Sequence, residues 1–282
     1  MNITANDVKL LREKTGAGMM DCKNALAESN GDFEKAIEFL RKKGLATAAK
    51  RADKIASEGM IGHWLSADQR QGVLVEVNCE TDFVAKNDDF QNFVKQATQL
   101  VVDKNPADVE ALNLQDTVAT LVGKIGENIA VRRFVNWKAE ANSKLGIYIH
   151  AGSKIGVMVK FEDKNNKLSA DDARDVAMHI AAMNPQYTTR DEVSAATLEK
   201  EKEIQRAQLA TQNKPADIIE KIVLGKMSKY YSEVCANEQV YVKDPEGKKT
   251  VEAALKAIDA GIRLTAFARL QVGEGVAAAT QH

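Results

Sequence analysis

Gly72-Val73-Leu74-Val75-Glu76-Val77-Asn78-Cys79-Glu80-Thr81-Asp82-Phe83-Val84-Ala85 is a run in which one kind of backbone hands over to another. Its first part is apolar and rich in β-branched side chains, which favour a pleated, buried strand. Thr81 and Asp82 then offer a hydroxyl and a carboxylate suited to capping the free N–H groups of a helix start. Phe83 falls in the first turn of that helix. Large apolar side chains are ordinarily buried, and Phe83 precedes Phe90 by seven residues, so the residues alone favour a ring folded onto the core. The opposing reading is a ring pointing outward as an anchor for another protein.

Working outward, residues 60–65 and 73–79 flank the polar turn 67–72 and predict an antiparallel hairpin. Residues 81–103 predict one helix, with Phe90, Phe93, Val94, Ala97, Leu100 and Val101 at helical spacing on a buried stripe. A second helical stretch follows, and residues 128–137 alternate as a strand. A similar order then recurs: residues 145–150 and 154–161 form a hairpin around Ala151-Gly152-Ser153, and residues 169–183 form a helix. The repetition predicts an α+β fold with two related subdomains, each an antiparallel sheet covered by helices on one face.

The first ~45 residues are helical by pattern. Val8, Leu10 and Leu11 mark one helix, and Thr15-Gly16-Ala17-Gly18 ends it. A second helix begins at Met19, and Phe33, Ala36, Ile37 and Leu40 mark a third, after the stop-and-cap signal Asn30-Gly31-Asp32. Three short helices of this kind resemble a ubiquitin-associated bundle. Adjacent Met19 and Met20 lie about 100° apart on a helix, so at least one is expected to be exposed. Later, residues 193–235 read as two charged helices forming an antiparallel coiled-coil hairpin broken at Asn213-Lys214-Pro215. Strands at 240–242 and 262–272, flanking a helix at 251–258, are expected to return the chain to the second sheet. The resulting division is 1–54 helical domain and linker, 55–140 and 141–275 the two subdomains, and 276–282 a short tail without room for a further helix.

The 282 residues are 44% hydrophobic and 28% charged, with a formal net charge of -1. That balance gives no long-range field favouring nucleic acid or an anionic membrane. The basic stretch Arg41-Lys42-Lys43-Gly44 with Lys50, Arg51 and Lys54 lacks interleaved aromatics for base stacking. No segment approaches the ~18 apolar residues of a spanning helix, and the first seven residues carry no signal-peptide pattern, so the expected location is the cytoplasm. Cys22, Cys79 and Cys235 are odd in number and far apart, and read as reduced thiols.

Motifs for catalysis are missing: there is no phosphate-binding GxxxxGK[ST], no GxGxxG after a strand, no HExxH and no GxSxG. Glu80, Asp82, Asp88 and Asp89 could be imagined around a metal ion. Acidic residues at helix starts are more simply explained by the helix dipole. The chain is therefore expected to be neither an enzyme nor a cofactor or metal binder.

Three segments, Leu11-Arg12-Glu13-Lys14-Thr15-Gly16-Ala17-Gly18-Met19-Met20-Asp21-Cys22-Lys23, Glu76 through Ala85, and Lys124-Ile125-Gly126-Glu127-Asn128-Ile129, resemble the motifs of the elongation factor Ts family in order and spacing. Met178-His179-Ile180-Ala181-Ala182 and Val272-Gly273-Glu274-Gly275 extend the resemblance to nearly the whole chain. The resemblance implies guanine-nucleotide exchange on elongation factor Tu, with GDP and Mg²⁺ held by that partner rather than by this chain. It implies that Asp82 and Phe83 enter the partner near its magnesium site, with Thr81 and Val84 also among the partner-binding residues. Arg12, Met19, Met20 and Lys23 of the helical domain, and Ile125 and His150, are implied as further contacts. Whether two copies associate is left open. The competing expectations are an RNA-binding translation accessory protein, resting on residues 41–54 and Arg132-Arg133, and an acidic-cluster metal enzyme.

Overall fold

The computed structural model describes residues 3–209 and 215–276. It is a mixed helix-and-sheet fold that begins with helices. Helix α1 (Ala5–Thr15) starts at Thr4, whose hydroxyl accepts the Asp7 N–H while the Asp7 carboxylate accepts the Thr4 N–H. Helices α2 (Met19–Glu28) and α3 (Phe33–Arg51) join it around Val8, Leu11, Cys22, Ala25, Leu26 and Ala36. The basic stretch after Leu40 continues α3 as helix to Arg51. Its Gly44 explains how α3 is seated. A Cβ there would stand 2.9 Å from the Ala119 carbonyl oxygen of α6 (Gln115–Ile125), and one on Gly123 would stand 3.0 Å from Gly44 Cα. The two helices meet backbone to backbone, an approach that side chains would prevent.

Strands β1 (Glu58–Leu65), β2 (Gln71–Cys79) and β3 (Ala130–Lys138) form an antiparallel sheet in that order. Strands β4 (Ser143–Ile149), β5 (Ile155–Asp163) and β6 (Ile262–Gln271) form a second. On β2, Val73, Val75, Val77 and Cys79 pack under Phe90, Phe93, Val94, Ala97 and Val101 of α5 (Asp88–Lys104). Leu74 points the other way, meeting Ile61 together with Leu145, Met158 and Leu270 of the second sheet. Beyond that sheet, Val157, Val159 and Phe161 face helices α7 (Ala170–Met183) and α10 (Val251–Ile258). The layers are thus helix, sheet, sheet, helix. Each sheet is buried on both faces, which is why β2 reads as a continuous apolar run rather than an alternating one.

Helices α8 (Ala195–Leu209) and α9 (Ala216–Val234) lie side by side, joined by Arg206 Nε to Glu220 Oε1 at 2.7 Å. The predicted break at Asn213-Lys214 and tail residues 277–282 fall outside the described residues.

Two local expectations are corrected. The predicted helix 81–103 is broken into α4 (Asp82–Ala85) and α5. The reason is Asn87, whose backbone is extended and whose side-chain oxygen accepts the N–H groups of Asp89 and Phe90, starting a new helix. Phe83 therefore does not share the buried stripe of Phe90. The predicted strand 240–242 reduces to a single bridge from Val240 to Thr250, because the Val242 N–H donates to His179 Nδ1 at 3.3 Å instead of to a neighbouring strand.

Candidate functional site

The end of β2 delivers the chain to α4 through Glu80 and Thr81. Thr81 is the helix cap, its hydroxyl oxygen accepting the Val84 N–H at 3.3 Å. Four residues cannot sustain a helix alone, since nucleation is costly, and α4 is held from two sides. Val84 and Ala85 pack half-buried against the first core. Glu127, just beyond α6, accepts the N–H groups of Glu80 and Thr81 on Oε2 at 3.1 and 3.0 Å, and the Thr81 hydroxyl on Oε1 at 2.6 Å. Glu80 reciprocates by accepting the Asn128 N–H at 2.6 Å and by pairing with Arg51 at 3.0 Å.

On this platform Phe83 is 79% exposed, the most exposed of the large apolar side chains among the described residues. The reading from residue type alone, a core ring, is therefore replaced by the outward one. Lys86 Nζ lies 5.9 Å from the centre of its ring and 2.8 Å from Asp82 Oδ2. The Lys86 hydrogen bond, helped by the more distant charge of Lys154, holds the Asp82 carboxyl below its ordinary range. Asp82 is thus an anion beside an exposed aromatic ring. Cys79, beneath the turn, is inert by contrast: burial pushes its thiol up to about 12.

The other expected contacts lie on several elements. Ile125 is half-buried against the core at the end of α6, and Gly126, with φ 87°, reverses the chain so that Glu127 reaches Thr81. Lys124, one residue earlier, pairs with Asp89 at 2.7 Å and lies under Gly16 of the α1–α2 turn. That turn leads directly into Met19 and Met20, which are 49% and 63% exposed. Arg12 and Lys23 are exposed on α1 and α2 and make no ion pair among the described residues. His150 is exposed at the β4–β5 turn, its Nδ1 3.1 Å from the Tyr148 hydroxyl. Three residues escaped the sequence reading: Glu127, Arg51 and Lys86. Glu127 stood in a quoted motif, but nothing local reveals that its partners lie 46 and 47 residues away.

The acidic residues do not converge. Glu80 goes to Arg51, Asp82 to Lys86 and Asp89 to Lys124, and no group of three or more metal-ligating side chains is assembled among the described residues. The first three cations of the basic stretch are likewise matched with carboxylates: Arg41 with Asp116, Lys42 with Glu38 at 2.7 Å, and Lys43 with Asp21 at 2.6 Å. No described helix is long and apolar enough to cross a membrane.

A family profile described as elongation factor TS matches residues 80–274. The chain is similar to elongation factor Ts of Nautilia profundicola, at 49% identity over 98% of this chain and 94% of that protein. The corresponding proteins of Trichlorobacter lovleyi and Halothermothrix orenii are 47% and 43% identical over the same shares.

Proposed function

The chain belongs to the elongation factor Ts family of translation elongation factors, and from that premise we propose that it binds the GDP form of elongation factor Tu and promotes GDP release, so that GTP can enter. The observation that carries the mechanism is the 79% exposed Phe83 on a clamped, four-residue helix. Exposing a Phe forgoes about 1.5–3 kcal/mol of burial, and the partner recovers it when the ring enters an apolar pocket. Phe83 acts as a wedge near the partner's phosphate and Mg²⁺ site, with Asp82 as the anionic flank of the helix start. Met19 and Met20 supply an adaptable apolar contact, and Arg12, Lys23, Ile125 and His150 complete the contact surface, with Thr81 and Val84 holding the wedge.

No covalent chemistry is required, so the chain is an exchange factor rather than a catalyst of bond making, and it needs no cofactor of its own. Linkage supplies the effect: a protein that binds the nucleotide-free GTPase more tightly than its GDP form weakens GDP binding by the same factor. In this reading residues 1–54 resemble a ubiquitin-associated bundle. Residues 55–140 and 141–275 are the two related subdomains, and residues 193–235 form a coiled-coil hairpin.

The test is release of fluorescent GDP from purified elongation factor Tu, with and without the chain. Strong acceleration is expected, and unchanged release rejects the proposal.

A further inference from the structure

We infer that Glu127 is the positioning residue for the Phe83 ring, acting through Thr81; the inference rests on the reading of Phe83 as the wedge. A ring that is 79% exposed receives little direction from packing. Its aim must come from the start of α4, and that start is fixed by Thr81, which caps Val84. Glu127 controls Thr81 with both oxygens, one on the hydroxyl at 2.6 Å and the other on the N–H at 3.0 Å, while also taking the Glu80 N–H at 3.1 Å. Hydrogen bonds to a charged acceptor are shorter and stronger than neutral ones, and three on one carboxylate set the turn's orientation as well as its place.

The clamp is reciprocal. Glu80, next to the residue that Glu127 holds, accepts the Asn128 N–H at 2.6 Å. Two neighbouring carboxylates would repel if left free. Here each points at main-chain donors of the other's segment, and Arg51 adds a positive charge to Glu80. Arg51 is the last residue of α3, so the same joint ties the N-terminal helices to the wedge. A displacement of about 1 Å at a working group can cost up to 100-fold in rate. A truncated Glu127 is therefore expected to reduce exchange without removing any atom that touches the partner.

The experiment measures fluorescent GDP release from elongation factor Tu across concentrations of the full chain, for wild type, Glu127→Ala, Phe83→Ala and the double variant. Glu127→Ala is expected to lower the maximal rate about tenfold, with the half-saturating concentration changed less than about twofold because the other contacts persist. In the Phe83→Ala background the same substitution is expected to cost nothing further, the signature of action through one group. Glu127→Gln, which keeps an acceptor oxygen for the two N–H groups, is expected to restore most of the rate. A wild-type maximal rate from Glu127→Ala, or losses that multiply in the double variant, overturns the inference while leaving the Phe83 reading intact. A wild-type rate from Phe83→Ala rejects that reading itself, and the positioning role with it. If Glu127→Ala does not fold, Glu127→Asp carries the same test, since its carboxylate is drawn back by one methylene; a wild-type maximal rate from it is the overturning result.

Discussion

Thr81 gives both its hydroxyl, at 2.6 Å, and its main-chain N–H, at 3.0 Å, to the carboxylate of Glu127. The two residues are 46 positions apart, so the helix start that carries Phe83 is defined by a side chain just beyond the end of α6. An exposed aromatic on an independently mobile turn would have to be ordered upon binding, at about 0.5–1.5 kcal/mol per immobilised side chain. Ordering it beforehand reduces that cost.

Phe83 and Phe90 are separated by one short turn and are expected to respond oppositely. Phe83→Ala should leave stability in urea within about 0.5 kcal/mol of wild type, as for other exposed positions. It should slow stimulated GDP release by tens-fold, as for a lost aromatic anchor worth roughly 2 kcal/mol or more. Phe90→Ala removes a fully buried ring and should cost about 3–5 kcal/mol of stability. A large loss of stability in Phe83→Ala would show that the ring is core.

Glu76 is buried among donors: Arg133 Nε at 2.6 Å, Arg132 Nη1 at 3.1 Å and the Gly273 N–H at 2.9 Å. Burial by itself raises its pKa, but the Gly273 N–H and the two guanidinium groups together outweigh that and hold the carboxyl below its ordinary value of 4.5. A depressed folded pKa means that the stabilisation is complete above 4.5 and is lost as pH falls below it towards the folded value. Glu76→Ala should cost about 3–5 kcal/mol near neutrality, because two guanidinium groups lose their buried partner. It should also flatten the acid limb of the stability curve, measured by urea titration at successive pH values.

His179 is buried on α7, with Nδ1 accepting the Val242 N–H at 3.3 Å and Nε2 placed 3.0 Å from Gln239 Oε1. The first contact requires a neutral ring whose proton sits on Nε2. Burial lowers its pKa from 6.5, more than the Gln239 bond raises it. For a lowered folded value the stabilisation is complete above 6.5 and declines as pH falls below it, a loss that begins at higher pH than that of Glu76. His179→Gln should reduce the decline that begins near pH 6.5, to which His63, whose pKa burial also lowers, contributes as well, and should retain the one below 4.5. Thermal melts across that range are the check.

Gly44→Ala sets two effects against each other. Alanine gains roughly 1 kcal/mol of helix propensity over glycine, but the new Cβ would stand 2.9 Å from the Ala119 carbonyl oxygen, where backbone must move. Overpacking of this kind costs about 1–3 kcal/mol, so a net loss near 1 kcal/mol is expected. For a chain of this size that lowers Tm by about 2–4 °C. Because the shift reorients α3 and the helices packed on it, the half-saturating concentration in GDP release should rise more than the maximal rate falls.

The strands and helices around β2 were legible because each carries a local signal, a continuous β-branched apolar run for the strand and a helical period for the helices. Val73 to Val77 declared a strand, and Phe90, Phe93, Val94, Ala97 and Val101 declared one helix face. The same periods misjudged Phe83, since a spacing of seven residues placed it on a stripe from which Asn87 disconnects it. Asn87 is a common helix cap, so a signal for the break was present, although a continuous apolar stripe spoke against it. The 240–242 strand failed differently: Val240 and Val242 have strand propensity, and a buried histidine on another helix took the N–H that a neighbouring strand needed.

The sequence by itself determined the order of elements, the family and the location of an unusual aromatic at a helix start, because caps, glycines and apolar spacing act over a few residues. The resemblance implied an outward Phe83 and the structure exposes it; tertiary structure alone decided that the two sheets bury each other's second faces and that Glu127 grips Thr81. Exposure and hydrogen bonding between segments 46 residues apart depend on where the chain returns in space, and such contacts leave no period along it.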